Sequence, residues 1–169
     1  WVINSSSAVE SPAFILRTNT SSLFIILPLQ MSWAKGIEYL ADSDYEYTIE
    51  SKKFNGNETI ELNGVEWTLN NNGDYYGYDS TKGQQIGSAN KPAKSLTLTS
   101  ESLNNIKSIE INTCGGSKVS ATLKVLVGGT QYGDDISLTT TATTYTFDNI
   151  NASGAVEFNY NQTSSKALY

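Results

Sequence analysis

Aromatic rings and ligand-type polar side chains crowd one stretch of this chain. Tyr75, Tyr76 and Tyr78 follow Trp67 among Asn71, Asn72, Asp74, Asp79 and Gln84. Sugar rings present apolar C–H faces that stack on aromatic rings, while nearby amides and carboxylates fix their hydroxyls. Tyr75, Tyr76, Tyr78, Asp79 and Gln84 are therefore the candidate ligand-binding residues, and a glycan or another surface ligand is the partner they suit. The competing use of the same rings is packing, with each phenol finding a hydrogen bond. Trp67 sits in a predicted strand and is expected in the core.

Other constellations are incomplete. Asn70-Asn71-Asn72-Gly73-Asp74 offers oxygens and a glycine turn, as calcium loops do. It lacks the spaced carboxylates and the terminal glutamate of such a loop, and reads as a polar turn. Lys82-Gly83-Gln84-Gln85-Ile86-Gly87 does not follow the order of a phosphate-binding loop, and its glycines serve turns. The chain has 0 His, which removes Ser-His-Asp and Cys-His nucleophiles and the common zinc sites. Two-carboxylate glycosidase chemistry would have to come from Glu46, Glu50, Glu61 and Glu66. On predicted strands, such a set is also the ordinary solvated face of a sheet. No catalytic residue, metal ligand or cofactor is assigned.

The elements that would position these residues are short strands. Residues 45–50 alternate Tyr45, Tyr47 and Ile49 with Glu46, Thr48 and Glu50, the period of a half-buried strand. Residues 59–62 and 65–69 flank Asn63-Gly64, a pair that supplies the positive φ angles of a two-residue type I′ hairpin. Residues 70–87 read as a long polar loop. Strands are expected over 96–99, 106–112 and 121–127, where Leu123, Val125 and Val127 share one face and Lys124 takes the other. Gly128-Gly129 returns the chain through 130–132, and strands follow over 136–138, 143–147, 155–160 and 166–169. Roughly nine or ten strands without a helical period indicate an all-β protein, an antiparallel two-sheet β-sandwich.

Residues 1–44 form a separate compositional zone that could be linker, extra strand or upstream-domain remnant, and residues 45–169 are the sandwich domain. The segment 23–29 (LFIILPL) is far shorter than the ~20 apolar residues of a membrane-crossing helix. It reads as a buried strand or as a signal-peptide core followed by Ser32-Trp33-Ala34. Residues 31–41 have weak helical spacing. Both ends look cut, so the chain reads as a fragment of a longer protein.

Charged residues are 17% of the chain and the net charge is −6, with its basic residues scattered. Counterion release requires a basic patch, so neither nucleic acid nor an anionic membrane is an expected partner. The lone Cys114 cannot form an internal disulfide and is expected to pack as a small apolar group or to sit in a turn. Sequons at Asn4, Asn19, Asn57, Asn151 and Asn161 matter only in a eukaryotic secretory host.

From about Tyr47 onward the sequence resembles uncharacterised β-sandwich accessory modules of secreted bacterial multidomain proteins. Such modules occur in Firmicutes and Bacteroidetes, often beside secreted nucleases or Ig-like domains. The resemblance rests on 62–68 (LNGVEWT), 77–88 (GYDSTKGQQIGS), 96–100 (LTLTS), 109–113 (IEINT), 127–130 (VGGT) and 162–169 (QTSSKALY). It implies a jelly-roll-like, carbohydrate-binding-module-like fold, location outside the cell or on its surface, neighbouring domains in a longer chain, and a closing strand beyond Tyr169. It supplies no catalytic residues.

The expected function is thus a non-catalytic accessory module of an exported bacterial protein that binds glycan or another surface ligand, or acts as a spacer. Two alternatives are an adhesin or pilin-type subunit completed by an added strand, and a carboxylate-based glycoside hydrolase.

Overall fold

The computed structural model describes residues 13–18, 44–48 and 51–169. The segments 23–29 and 31–41, and residues 49–50, lie outside the described residues. The described chain is all-β and antiparallel. Its strands are β1 (Ala13–Thr18), β2 (Asp44–Thr48), β3 (Glu58–Leu62), β4 (Val65–Asn71), β5 (Tyr76–Asp79), β6 (Gly83–Ile86), β7 (Ser95–Thr113), β8 (Ala121–Val127), β9 (Thr130–Ser137), β10 (Thr143–Phe147) and β11 (Ala152–Gln162).

Two hairpins follow directly from their turn residues. Asn63 and Gly64 stand at φ 51° and 81°, and Gly128 and Gly129 at 56° and 82°. These positive angles twist the backbone to match the strands on either side. They fix the register of β3 on β4 (Leu62 opposite Val65) and of β8 on β9 (Val127 opposite Thr130). Alternation then sorts the faces: Leu123, Val125 and Val127 are buried, whereas Lys124 is half-exposed and reaches Asp135 at 3.5 Å.

β7 organises the rest. Its first half pairs with β4 on one edge and β11 on the other: Leu98 lies opposite both Leu69 and Phe158. Its second half pairs with β1 and β10: Ile111 lies opposite both Phe14 and Tyr145. The changeover falls at Asn105, whose φ is 56°. There the β11 register also slips between Ala152 and Gly154, and Ser153 Oγ accepts the Asn105 N–H at 2.9 Å. A second slip, between Ala155 and Glu157, is repaired by Ser100, whose Oγ accepts the Val156 N–H at 2.9 Å. Bulges of this kind bend a strand without orphaning its polar groups.

One contiguous core joins side chains from both halves of this arrangement, including Trp67, Leu69, Val125 and Phe158 with Ile109, Ile111 and Phe147. Trp67 is 2% exposed and stacks on Phe158 with ring centroids 5.9 Å apart. Cys114 is buried and free.

Three expectations need correcting. Residues 70–87 are not a plain loop but carry the β5–β6 hairpin. Residues 96–99 and 106–112 belong to one strand, because Asn105 turns the chain without breaking its pairing. Residues 166–169 form bridges through Leu168 to Ile86 and Gly115 in place of a strand. Within the stretch 1–44, β1 is an integral sheet strand paired with β7.

Candidate functional site

The β5–β6 hairpin carries the candidate residues. Its register sets Tyr76 opposite Ile86, Tyr78 opposite Gln84 and Asp79 opposite Gly83. The Gly87 N–H donates to the Tyr75 carbonyl at 2.8 Å, which continues the ladder one residue further. The connecting turn is held by Asp79: its Oδ1 accepts the Thr81 N–H at 2.8 Å and the Thr81 hydroxyl at 2.6 Å. These bonds, the hydroxyl's first, hold the Asp79 carboxyl below the ordinary carboxylate range.

Alternation divides the tyrosines between two faces. Tyr75, Gly77, Asp79 and Gln85 share one. The Tyr75 ring lies over Gly77, where an added Cβ would stand 3.0 Å from Tyr75 Cε1. Tyr75 is 38% exposed. Tyr76, Tyr78, Gln84 and Ile86 share the other face. Tyr78 is 36% exposed. Tyr76 is half-buried, and its hydroxyl is spent: it accepts from Asn71 Nδ2 at 2.7 Å and donates to Asn57 Oδ1 at 3.0 Å.

Gln84 is part of the scaffold. It is buried, and its Oε1 accepts the N–H groups of Lys53 at 2.8 Å and Phe54 at 3.0 Å. Its Nε2 donates to the carbonyls of Phe54 at 3.2 Å and Gly77 at 2.9 Å. A glutamine has two acceptor lone pairs and two donor protons, and all four are used.

The Tyr75 face gains a residue that the sequence reading did not place there. Tyr169 packs at the hairpin, with Lys82 Nζ 4.8 Å from its ring centroid. Burial pushes its phenol above the ordinary range, and nearby Asp79, Cys114 and Tyr75 add to that shift. Its backbone is pinned to Cys114, donating at 2.9 Å and accepting at 3.2 Å. The face therefore combines an exposed ring, an ionised carboxylate, an amide, an ammonium group and a second phenol. It offers stacking and hydrogen bonding.

The remaining motifs are turns or open surface. Asn71 Oδ1 accepts the Gly73 N–H at 2.6 Å, and Asn72 Oδ1 accepts those of Lys94 and Ser95 at 2.8 and 3.1 Å. Asp74 pairs with Lys91 at 3.0 Å on open surface. Among the described residues, no three His, Cys, Asp or Glu side chains group to hold a metal ion. Glu61 and Glu66 lie directly opposite each other and exposed near the β3–β4 turn. Glu46 lies on β2, and Glu50 lies outside the described residues. Among the described residues, no helix is long and apolar enough to cross a membrane.

No family model, curated protein or solved structure matches this chain.

Proposed function

We propose that this chain is a non-catalytic accessory module of an exported protein, binding glycan through the Tyr75 face of the β5–β6 hairpin. The observation that carries this reading is the Tyr75 ring. It is exposed, it rests on the bare backbone of Gly77, and it stands on the same face as the Asp79 carboxylate and the Gln85 amide. A pre-positioned ring loses little freedom when a sugar stacks on it, so more of the contact energy appears as affinity. The resemblance to secreted bacterial modules supports export. The change of partners along β7 supports a two-sheet, jelly-roll-like sandwich, because strands that switch sheets do so at bends and bulges.

A glycan array followed by titration of the best hit tests the function. Tyr75→Ala is expected to weaken binding at least tenfold, a loss of about 1.4 kcal/mol. Tyr78→Ala, on the opposite face, is expected to leave it nearly unchanged. A parent protein that binds no glycan on a broad array removes the binding role and leaves a spacer.

A further inference from the structure

A cleft of about 380 Å³ opens where β8 begins and β9 and β11 end. That volume falls within the range of small-molecule sites, roughly 300–1,000 Å³. It does not include the hairpin tyrosines.

The cleft is built from a row of side chains across three strands. Asn161 of β11 lies opposite Thr122 of β8, and Thr122 lies opposite Ser137 of β9. Residues opposite one another in neighbouring strands project to the same face. The row therefore presents an amide and two hydroxyls side by side, all lining the cleft. Val119, Ala121 and Leu138 supply apolar lining beside it.

One wall is fixed by its own hydrogen bonds. Ser120 Oγ and Thr163 Oγ1 lie 3.0 Å apart, and the Thr163 N–H donates to the Ser120 carbonyl at 3.0 Å. Ser164 Oγ accepts the Ser120 N–H at 3.0 Å and donates to Gln162 Oε1 at 2.8 Å. Gln162 Nε2 in turn donates to the carbonyls of Ala93 at 2.7 Å and Lys166 at 2.8 Å. Among the described residues, the side chains of Thr122, Ser137 and Asn161 take no part in this network or in any other hydrogen bond, which leaves their groups for a ligand. A preformed wall beside uncommitted polar groups is how small-molecule sites set orientation.

The chemistry of the lining selects the ligand class. Among the described residues no charged side chain lines the cleft, and the nearby Lys94 ammonium is spent on the Thr163 and Ser164 carbonyls and on Ser165 Oγ. A charged ligand would therefore give up hydration without gaining an uncommitted opposite charge. Hydroxyls and an amide beside apolar carbon suit a compact molecule with both hydroxyl groups and C–H surface. The geometry points to a second binding site at Thr122, Ser137 and Asn161 for a neutral polyhydroxylated ligand of monosaccharide size.

The test is amide chemical-shift mapping of the whole 169-residue chain. The probes are glucose, galactose, mannose and N-acetylglucosamine, with glucuronate as the charged comparison. The expected result is saturable shifts at residues 119–122, 137–138 and 161–163 for at least one neutral sugar, with glucuronate binding more weakly. Thr122→Val keeps the β-branched shape and removes the hydroxyl. Combined with Asn161→Ala, it should weaken that binding at least tenfold while the melting temperature holds. Tyr75→Ala should leave these shifts in place, which separates this site from the hairpin face. No saturable shift in the cleft with any neutral sugar overturns the site, even where the hairpin binds. Unchanged affinity in the folded double variant does so too, and equal binding of glucuronate overturns the assigned ligand class.

Discussion

The side chain of Gln84 pairs with the backbone of Phe54 as a neighbouring strand would. It accepts the Phe54 N–H at 3.0 Å and donates to the Phe54 carbonyl at 3.2 Å. Phe54 is 1% exposed and lies outside any strand, so its backbone groups need such a partner.

Gln84→Ala is therefore expected to cost about 3 kcal/mol or more, since each buried group left without a partner costs roughly 1–3 kcal/mol. Gln84→Glu should also destabilise, because a carboxylate keeps the acceptors and loses both donors. Urea denaturation of the two variants measures this. Near-parental stability of Gln84→Ala would show that water replaces the side chain.

Gly64→Val isolates backbone strain. A Cβ at Gly64 meets nothing within 4 Å, yet φ is 81°. The expected loss is about 1–2 kcal/mol from conformation alone. Asn63→Gly should be much milder, because glycine accepts the same angle. Equal losses at the two positions would contradict a turn-based cause.

Gly154→Ala combines strain with collision. Gly154 has φ 142°, and its Cβ would lie 2.6 Å from the Gly128 Cα. Backbone cannot yield as a flexible side chain does, so a loss of about 3 kcal/mol or more is expected. A melting temperature within a degree or two of the parent's would show that the β8–β9 turn moves away from β11 easily there.

Tyr160 predicts alkaline instability. Burial pushes its phenol up to about 12, with the hydrogen bond to Thr113 acting the other way. The folded state holds the proton more tightly than the unfolded chain, whose phenol titrates near 10. Its contribution is therefore complete below about pH 10 and is lost as pH rises toward about 12, a change on the order of 3 kcal/mol. Tyr160→Phe should flatten this limb of the stability profile while costing about 1 kcal/mol at neutral pH for the lost bond. Denaturation midpoints from pH 8 to 11.5 would decide it, and an unchanged alkaline limb in the variant would assign the effect elsewhere.

Local signals were the readable ones. Asn63-Gly64 and Gly128-Gly129 turn as their residue types dictate, residues 143–147 form the expected strand, and Leu123, Val125 and Val127 bury as alternation requires. Harder features depend on distant partners. Residues 100–105 (SESLNN) look like a break because they are polar, yet β4, β11 and β1 pair along β7 around them. Gln84 looks like a surface residue because nothing nearby in sequence shows that Phe54 will occupy its amide. Tyr169 joins the Tyr75 face across more than half of the chain, and the Asn161–Thr122–Ser137 row exists only once three strands are in register.

The position of β7 also governs the order of assembly. Its partners on one edge, β1 and β4, precede it in the chain, while those on the other, β10 and β11, are made last. During synthesis from the N-terminus, β7 emerges with one edge already matched and the other bare until residues 143–161 follow. Pairings this distant pay loop-closure entropy first, which places folding on the slow millisecond-to-second scale of all-β proteins. A strand left half-paired through that interval is one that a holding chaperone must shield along its bare edge.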